Sequence, residues 1–214
     1  MSKASAVAAS RLQQRLDWRA MRSENSVLGS DFSADHFALL DLPRQQALNG
    51  AELDQKFRSL QALVHPDHHV QAGDAQRRLA MQWATRVNEA YQVLKSPGSR
   101  ALYLLTLLGV DPQVENNTAM PVEFLMQQME LREEVMAARG AGDEAFLETA
   151  HETLQREITG CHQQLVALID QQKDYKTAAE LVRKIMFQEK LLHEINDALE
   201  AVDAFQHLVD RRRA

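Results

Sequence analysis

Residues 51–95 read AELDQKFRSLQALVHPDHHVQAGDAQRRLAMQWATRVNEAYQVLK, and they contain two amphipathic helical patterns separated by a proline turn. The patterns span 51–64 and 74–95, and in both the apolar residues recur at steps of three and four. Pro66 ends the first helix, because the residue before a proline disfavours helical geometry. The apolar positions are Leu53, Phe57, Leu60 and Val64 in the first helix and Ala80, Trp83, Val87, Ala90, Tyr91 and Leu94 in the second. We therefore expect an antiparallel helical hairpin.

Short helical segments are predicted on both sides of this hairpin. One turn at 35–40 is stopped by Pro43, and a second short helix, Arg100–Leu108, ends at Gly109. With the hairpin they form a predicted first domain at 35–110. Residues 1–34 lack a sustained periodic pattern, so we expect a poorly ordered extension there.

A second helical domain is predicted beyond a linker at 111–120, which contains proline and two asparagines. Three amphipathic segments follow, at about 122–138, 143–172 and 174–205. Helices joined by short turns bury their apolar stripes against each other as an antiparallel bundle, which we place at 121–207 with a tail at 208–214. The expected stripes are Leu147, Ala150, Leu154, Ile158, Cys161, Leu165 and Leu168, then Ala178, Val182, Ile185, Leu192, Leu199 and Val202. The predicted fold class is all-α.

Composition limits the classes of function. A formal net charge of −6 argues against nucleic-acid binding, which needs a basic face. No apolar run approaches the roughly 20 residues of a membrane-spanning helix. Cys161 is the only cysteine, so no intramolecular disulfide can form, and its apolar neighbours predict a buried, inert thiol. The basic residues 1–22 resemble a mitochondrial transit peptide or a bacterial extension; lacking a clear amphipathic stripe, they favour the bacterial cytoplasm over the mitochondrial matrix.

The predicted helix at 122–138 carries two apolar stripes, although a bundle helix needs only one. At about 100° per residue, Phe124, Leu131 and Val135 share one side. The other side holds Leu125, Met126, Met129 and Met136, with Glu133 among them and Glu130 at the edge. A methionine-rich stripe bordered by acids indicates an adaptable protein-binding face. The alternative is that both stripes are buried, one of them against the first domain.

Phe187 favours an exposed binding face. On the last helix it projects roughly opposite Val182 and Ile185, which leaves a large aromatic ring near the surface. Exposed aromatic side chains are frequent binding anchors. No third apolar surface is evident, so we expect a monomer.

The tripeptide His65-Pro66-Asp67 has two structural interpretations that need no partner protein. It could be an ordinary helix–helix turn, as in a purely structural adaptor. It could also belong to a metal site with His68 and His69, as in a metal-binding enzyme, but adjacent histidines beside a proline converge poorly on one ion. We predict no metal and no cofactor, and we find no nucleophile–base or paired-carboxylate arrangement typical of an enzyme.

The hairpin with its flanking helices resembles a J domain, the module that activates DnaK-type ATPases. That resemblance implies that His65, Pro66 and Asp67 contact the chaperone and trigger ATP hydrolysis, while Lys56 and Arg58 steer towards an acidic chaperone surface. The chain departs from the common J-domain pattern before and after the tripeptide, with Gln61, Ala62, Leu63 and Val64 on one side and His68 and His69 on the other. These departures imply weaker, or pH-dependent, electrostatic attraction.

Over residues 35–205 the chain resembles the HscB family of iron–sulfur co-chaperones. The matching segments are HFALLDLP at 36–43, the tripeptide, RALYLL at 100–105 and FLMQQMELREEV at 124–135. The resemblance implies an L-shaped pair of domains, the second of which binds an IscU-type scaffold protein for delivery to an HscA-type chaperone. The implied scaffold-binding residues are Leu125, Met126, Met129, Glu130, Glu133 and Phe187. The open alternative within this class is a J protein that serves another client.

Overall fold

The computed structural model describes residues 33–64, 74–112 and 120–213. The described residues form two compact units, divided between Arg100 and Ala101. All regular structure in the described ranges is helical, as predicted. The division between the units falls inside a helix, whereas we placed the end of the first domain at 110; that boundary stays a prediction.

The first unit contains helices α1 (His36–Leu39), α2 (Gly50–Val64) and α3 (Asp74–Lys95), and it includes the start of α4 (Pro97–Leu107). Side chains cap the first two helices. Asp35 accepts hydrogen bonds from the backbone N–H groups of Phe37 and Ala38 at 2.9 and 3.0 Å, and Asn49 caps α2. Each cap satisfies amide donors that have no partner inside the helix.

Helices α2 and α3 pack through their apolar stripes, so the structure confirms the predicted hairpin. Leu53 of α2 and Trp83 of α3 are almost fully buried. Tyr91 adds polar and aromatic contacts: its hydroxyl donates to Asp54 Oδ1 at 2.8 Å, and its ring stacks on Phe57 with centroids 4.0 Å apart. These contacts hold α2 against α3.

The second unit is a three-helix bundle of α5 (Val122–Ala141), α6 (Glu144–Val166) and α7 (Tyr175–Arg213), with the rest of α4 before it. Gly142 makes the first turn by adopting a φ of 70°, which favours glycine. Asp143 then caps α6 by accepting from the Phe146 amide at 3.1 Å. The core holds Val135 and Ala138 of α5, Leu147, Leu154, Ile158 and Leu165 of α6, and Ala178, Val182, Ile185, Leu191 and Ile195 of α7.

Several helix limits differ from those predicted. Helix α5 continues to Ala141, α7 continues to Arg213, and α4 begins at Pro97, where a proline fits because the first helical N–H needs no partner. Residues Ala167–Gln172 form a π-helical turn instead of ordinary α-helix. The wider turn rotates the stripe, so Ile169 is buried in place of the predicted Leu168.

The predicted stripe of α7 is wrong at Leu192 and Leu199, which are half-buried. Leu191, Ile195 and Ala198 occupy the core instead. From Ile185 the buried positions follow in steps of three, three, four and three, through Gln188 to Ala198, whereas the prediction took a single step of seven from Ile185 to Leu192.

Candidate functional site

The tripeptide His65-Pro66-Asp67 and the neighbouring His68 and His69 lie outside the described residues. The structure therefore does not test their predicted roles. It does place Val64, the last residue of α2, fully buried against the hairpin core. The segment that carries the tripeptide thus starts from an anchored position.

Lys56 and Arg58, the two predicted steering cations, have different surroundings. Lys56 Nζ donates to Asp41 Oδ2 at 2.5 Å, so much of its charge is neutralised locally. Asp41 adopts a φ of 53°, a left-handed conformation that aspartate and asparagine tolerate better than most residues. Arg58 is exposed on α2. Sequence reasoning missed the pair with Asp41, because the two residues are 15 positions apart.

The second apolar stripe of α5 is exposed. Met126, Met129 and Met136 have 56%, 59% and 68% of their surface accessible. Glu130 and Glu133 are exposed beside them, and Leu125 is half-buried. Exposure of three methionines on one helix shows that the core of the bundle does not cover this stripe.

Of the three residues predicted on the core side of α5, Val135 is buried, while Phe124 and Leu131 are half-buried. Phe187 is also half-buried, and so less exposed than its projection implied. The reason is an edge-to-face contact with Phe124, with ring centroids 6.2 Å apart. Lys184 adds a cation–π contact, its Nζ lying 5.7 Å from the centroid of the Phe124 ring. Helix α5 therefore positions the aromatic ring of α7.

A bidentate ion pair joins α5 to α7 farther along. Arg132 Nε and Nη2 donate to the two carboxylate oxygens of Glu194 at 2.6 and 3.0 Å. The contacts Phe124–Phe187 and Arg132–Glu194 follow the same order in both helices, so α5 and α7 run parallel. We name the composite surface of Leu125, Met126, Met129, Glu130, Glu133 and Phe187 the α5/α7 surface. The structure brings all six residues into the second unit, on two helices in direct contact.

Elsewhere in the bundle, a buried amide pairs with an exposed carboxylate. Gln188 of α7 is 1% exposed, and its amide donates to Glu157 Oε2 at 2.8 Å. Cys161 is buried nearby, as predicted, and burial raises the pKa of its thiol. A raised pKa keeps the thiol protonated and unreactive.

Among the described residues, no three His, Cys, Asp or Glu side chains are grouped so that they could hold a metal ion. Across the same ranges, no helix combines the length and apolarity needed to cross a membrane.

Known proteins resemble the chain over most of its length. Residues 120–196 match the family described as the HSCB C-terminal oligomerisation domain. The co-chaperone protein HscB homolog of an Azoarcus species is 47% identical over 173 residues, which are 81% of this chain and 98% of that protein.

Two solved structures share the fold. Chaperone HscB from Vibrio cholerae has a TM-score of 0.70 and 35% identity, covering 79% of this chain and 99% of its own. Human co-chaperone protein HscB has a TM-score of 0.71 and 28% identity, covering 78% and 83%. These structures have a J domain followed by a helical bundle, the architecture predicted here. The chain belongs to the HscB family of co-chaperones.

Proposed function

We propose that this co-chaperone binds an IscU-type iron–sulfur scaffold protein and delivers it to an HscA-type or other DnaK-type chaperone, whose ATP hydrolysis it stimulates. The chain itself is not an enzyme in this proposal. The scaffold binds the second unit and the chaperone binds the J domain, at the proposed domain limits of 121–207 and 35–110. The product is a scaffold held by the chaperone and ready to transfer its cluster.

The observation that carries the proposal is the exposed methionine stripe on α5. Apolar side chains contribute free energy on burial, about 25 cal/mol per Å² removed from water, and Met126 and Met129 leave most of their area available. Methionine also adapts to irregular partner surfaces. Glu130 and Glu133 at the border favour a partner that presents basic groups beside its own apolar residues.

Phe187 supplies the aromatic anchor of the proposed surface. Its contact with Phe124 holds the ring in place before binding, so less conformational entropy is lost when the partner docks. Half-burial does not prevent Phe187 from contributing to binding, because hot-spot side chains often lie in partly protected positions at the centre of an interface.

For the chaperone end, we propose that His65, Pro66 and Asp67 contact the ATPase, assisted by Lys56 and Arg58. Support comes from family membership and from helix α2, whose last residue, Val64, is buried. The pair with Asp41 leaves Arg58 as the stronger steering charge of the two. The relative from Azoarcus is bacterial, which supports the cytoplasm over the mitochondrial matrix as the proposed location.

Isothermal titration calorimetry with a purified IscU-type scaffold tests the proposal. We expect the wild type to bind, and a variant with Leu125→Ala, Met129→Ala and Phe187→Ala to lose at least about tenfold in affinity, because the three truncations together remove the anchors of the surface. The control is Met81→Ala, which truncates a methionine on α3 that is 56% exposed.

Circular dichroism must show that the triple variant keeps its helical content, because Leu125 and Phe187 are half-buried. Absence of binding by the wild type would refute the iron–sulfur role and leave a J protein with another client. Light scattering on the same samples tests the proposed monomer.

A further inference from the structure

Met136 is the most exposed methionine of the described residues, with 68% of its surface accessible, yet the family resemblance gives it no role. It lies on α5, two turns beyond Met129. A single exposed apolar residue is normal on a protein surface and needs no explanation. Met136 differs from such a residue because it lies in line with the α5/α7 surface.

Helical geometry places Met136 in line with that surface. At about 100° per residue, Met136 lies about 20° from Leu125 and about 20° from Met129 around the helix axis. Along the axis, Leu125 and Met129 are about 6 Å apart, and Met136 extends that row to about 16 Å. The three residues therefore form one straight apolar row on the exposed side of α5.

Arg132 lies between Met129 and Met136 on the same side of the helix, about 20° from Leu125. Its guanidinium is bound at two points by Glu194 of α7, so its charge is paired and its side chain is directed towards α7. This arrangement leaves the path from Met129 to Met136 free of an unpaired cation. Glu133 is exposed beside the row and continues its acidic border.

We propose that Met136 is a further contact residue for the scaffold protein, so that the α5/α7 surface continues about 10 Å towards the C-terminal end of α5. The partner then presents an apolar side chain opposite Met136, in the same row as those that cover Leu125 and Met129. This inference rests on the proposed function, since it assigns a longer contact to the same partner.

Calorimetry with the IscU-type scaffold compares wild type, Met136→Ala, Met136→Leu and the control Met81→Ala. Truncation of a methionine that the partner covers removes apolar contact area, so Met136→Ala is expected to bind about fivefold more weakly. Met136→Leu restores most of that area and binds within about twofold of the wild type. Met81→Ala, on a different helix of the other unit, binds like the wild type.

Failure of this inference is distinguishable from failure of the proposed function. If the wild type binds and the triple variant of Leu125, Met129 and Phe187 does not, but Met136→Ala binds as tightly as the wild type, the function stands and the extension is overturned. Met136 is then only a good helix-forming residue on the surface. If the wild type does not bind, both proposals fail. Because Met136 is exposed, none of its variants is expected to change the midpoint of thermal unfolding appreciably.

Discussion

His36, at the start of α1, makes the stability of the first unit depend on pH. Burial lowers the pKa of its imidazole below the ordinary value of 6.5; Arg86 lowers that pKa further, while Glu89 and Asp35 oppose the shift. Below pH 6.5 the unfolded chain therefore binds a proton that the folded chain does not. The stability that neutral His36 contributes to the folded state is fully present above pH 6.5. It is lost as the pH falls from there towards the lower pKa of the folded state.

We predict that the free energy of unfolding decreases from about pH 7.5 to about pH 5.5, and that His36→Gln reduces this decrease because glutamine does not titrate. Urea unfolding at both pH values measures the decrease in the free energy of unfolding for the wild type and for His36→Gln. The comparison uses the change with pH in each protein, which separates titration from any uniform loss of stability in the variant. An equal pH dependence in both proteins would contradict the role of His36.

The Asp41–Lys56 pair sets how much positive charge α2 offers to a chaperone. Asp41→Asn keeps a side chain that tolerates the positive φ and removes the charge that holds Lys56. We therefore predict that this variant reaches half-maximal stimulation of the chaperone ATPase at about half the wild-type concentration, at low salt. Screening should abolish the difference at high salt. Weaker stimulation by Asp41→Asn would contradict this prediction and show that the intact pair aids docking.

Among individual residues, exposure of the α5 stripe could be predicted from sequence, since it depends on local helical periodicity. The pairs Asp41–Lys56 and Arg132–Glu194 could not. Their partners lie 15 and 62 positions apart, so their contact depends on how helices pack. The half-burial of Phe187 has the same cause, because its covering ring comes from another helix.

At the scale of elements, α7 shows where a regular projection fails. Between Ile185 and Leu191 the core position is taken by the polar residue Gln188, which is almost fully buried. A projection that counts only apolar residues omits Gln188, so it places the next core residue at Leu192 and not at Leu191. Nothing in the local sequence indicates that Gln188 has a partner; Glu157, which accepts its hydrogen bond, belongs to α6.

The alignment of α5 with α7 depends in part on the Arg132–Glu194 pair. Both side chains are more than a third exposed, so the pair contributes at most about 1 kcal/mol to stability. Its larger effect should be on geometry, because it fixes where Phe187 lies relative to Leu125. We predict that Arg132→Glu, which sets two carboxylates against each other, weakens scaffold binding about fivefold in calorimetry.

The reversed pair Arg132→Glu with Glu194→Arg provides the matched control. It restores the attraction between the helices, and it should bind the scaffold within about twofold of the wild type. If the reversed pair binds as weakly as Arg132→Glu alone, Arg132 contacts the scaffold itself and does not act through α7. Thermal unfolding of the three proteins shows whether the bundle is intact in each.

At the scale of the whole molecule, the helical class and the order of hairpin and bundle could be predicted, because proline and glycine breaks divide long amphipathic stretches. The domain limit that we placed at 110 stays a prediction. The division between the two compact units falls inside helix α4, with Arg100 in the first unit and Ala101 in the second. Under the proposed function, each unit carries one of the two partner-binding activities.

The most direct test of the proposed function is the steady-state ATP hydrolysis rate of an HscA-type chaperone with an IscU-type scaffold and this protein. We predict a rate above the product of the stimulations that scaffold and protein give separately, because delivery places both on one chaperone. Asp67→Asn should leave the rate at the level of scaffold alone while its scaffold affinity, measured by calorimetry, is unchanged. A wild-type rate no higher than with scaffold alone, or full activity of Asp67→Asn, would contradict the proposed function.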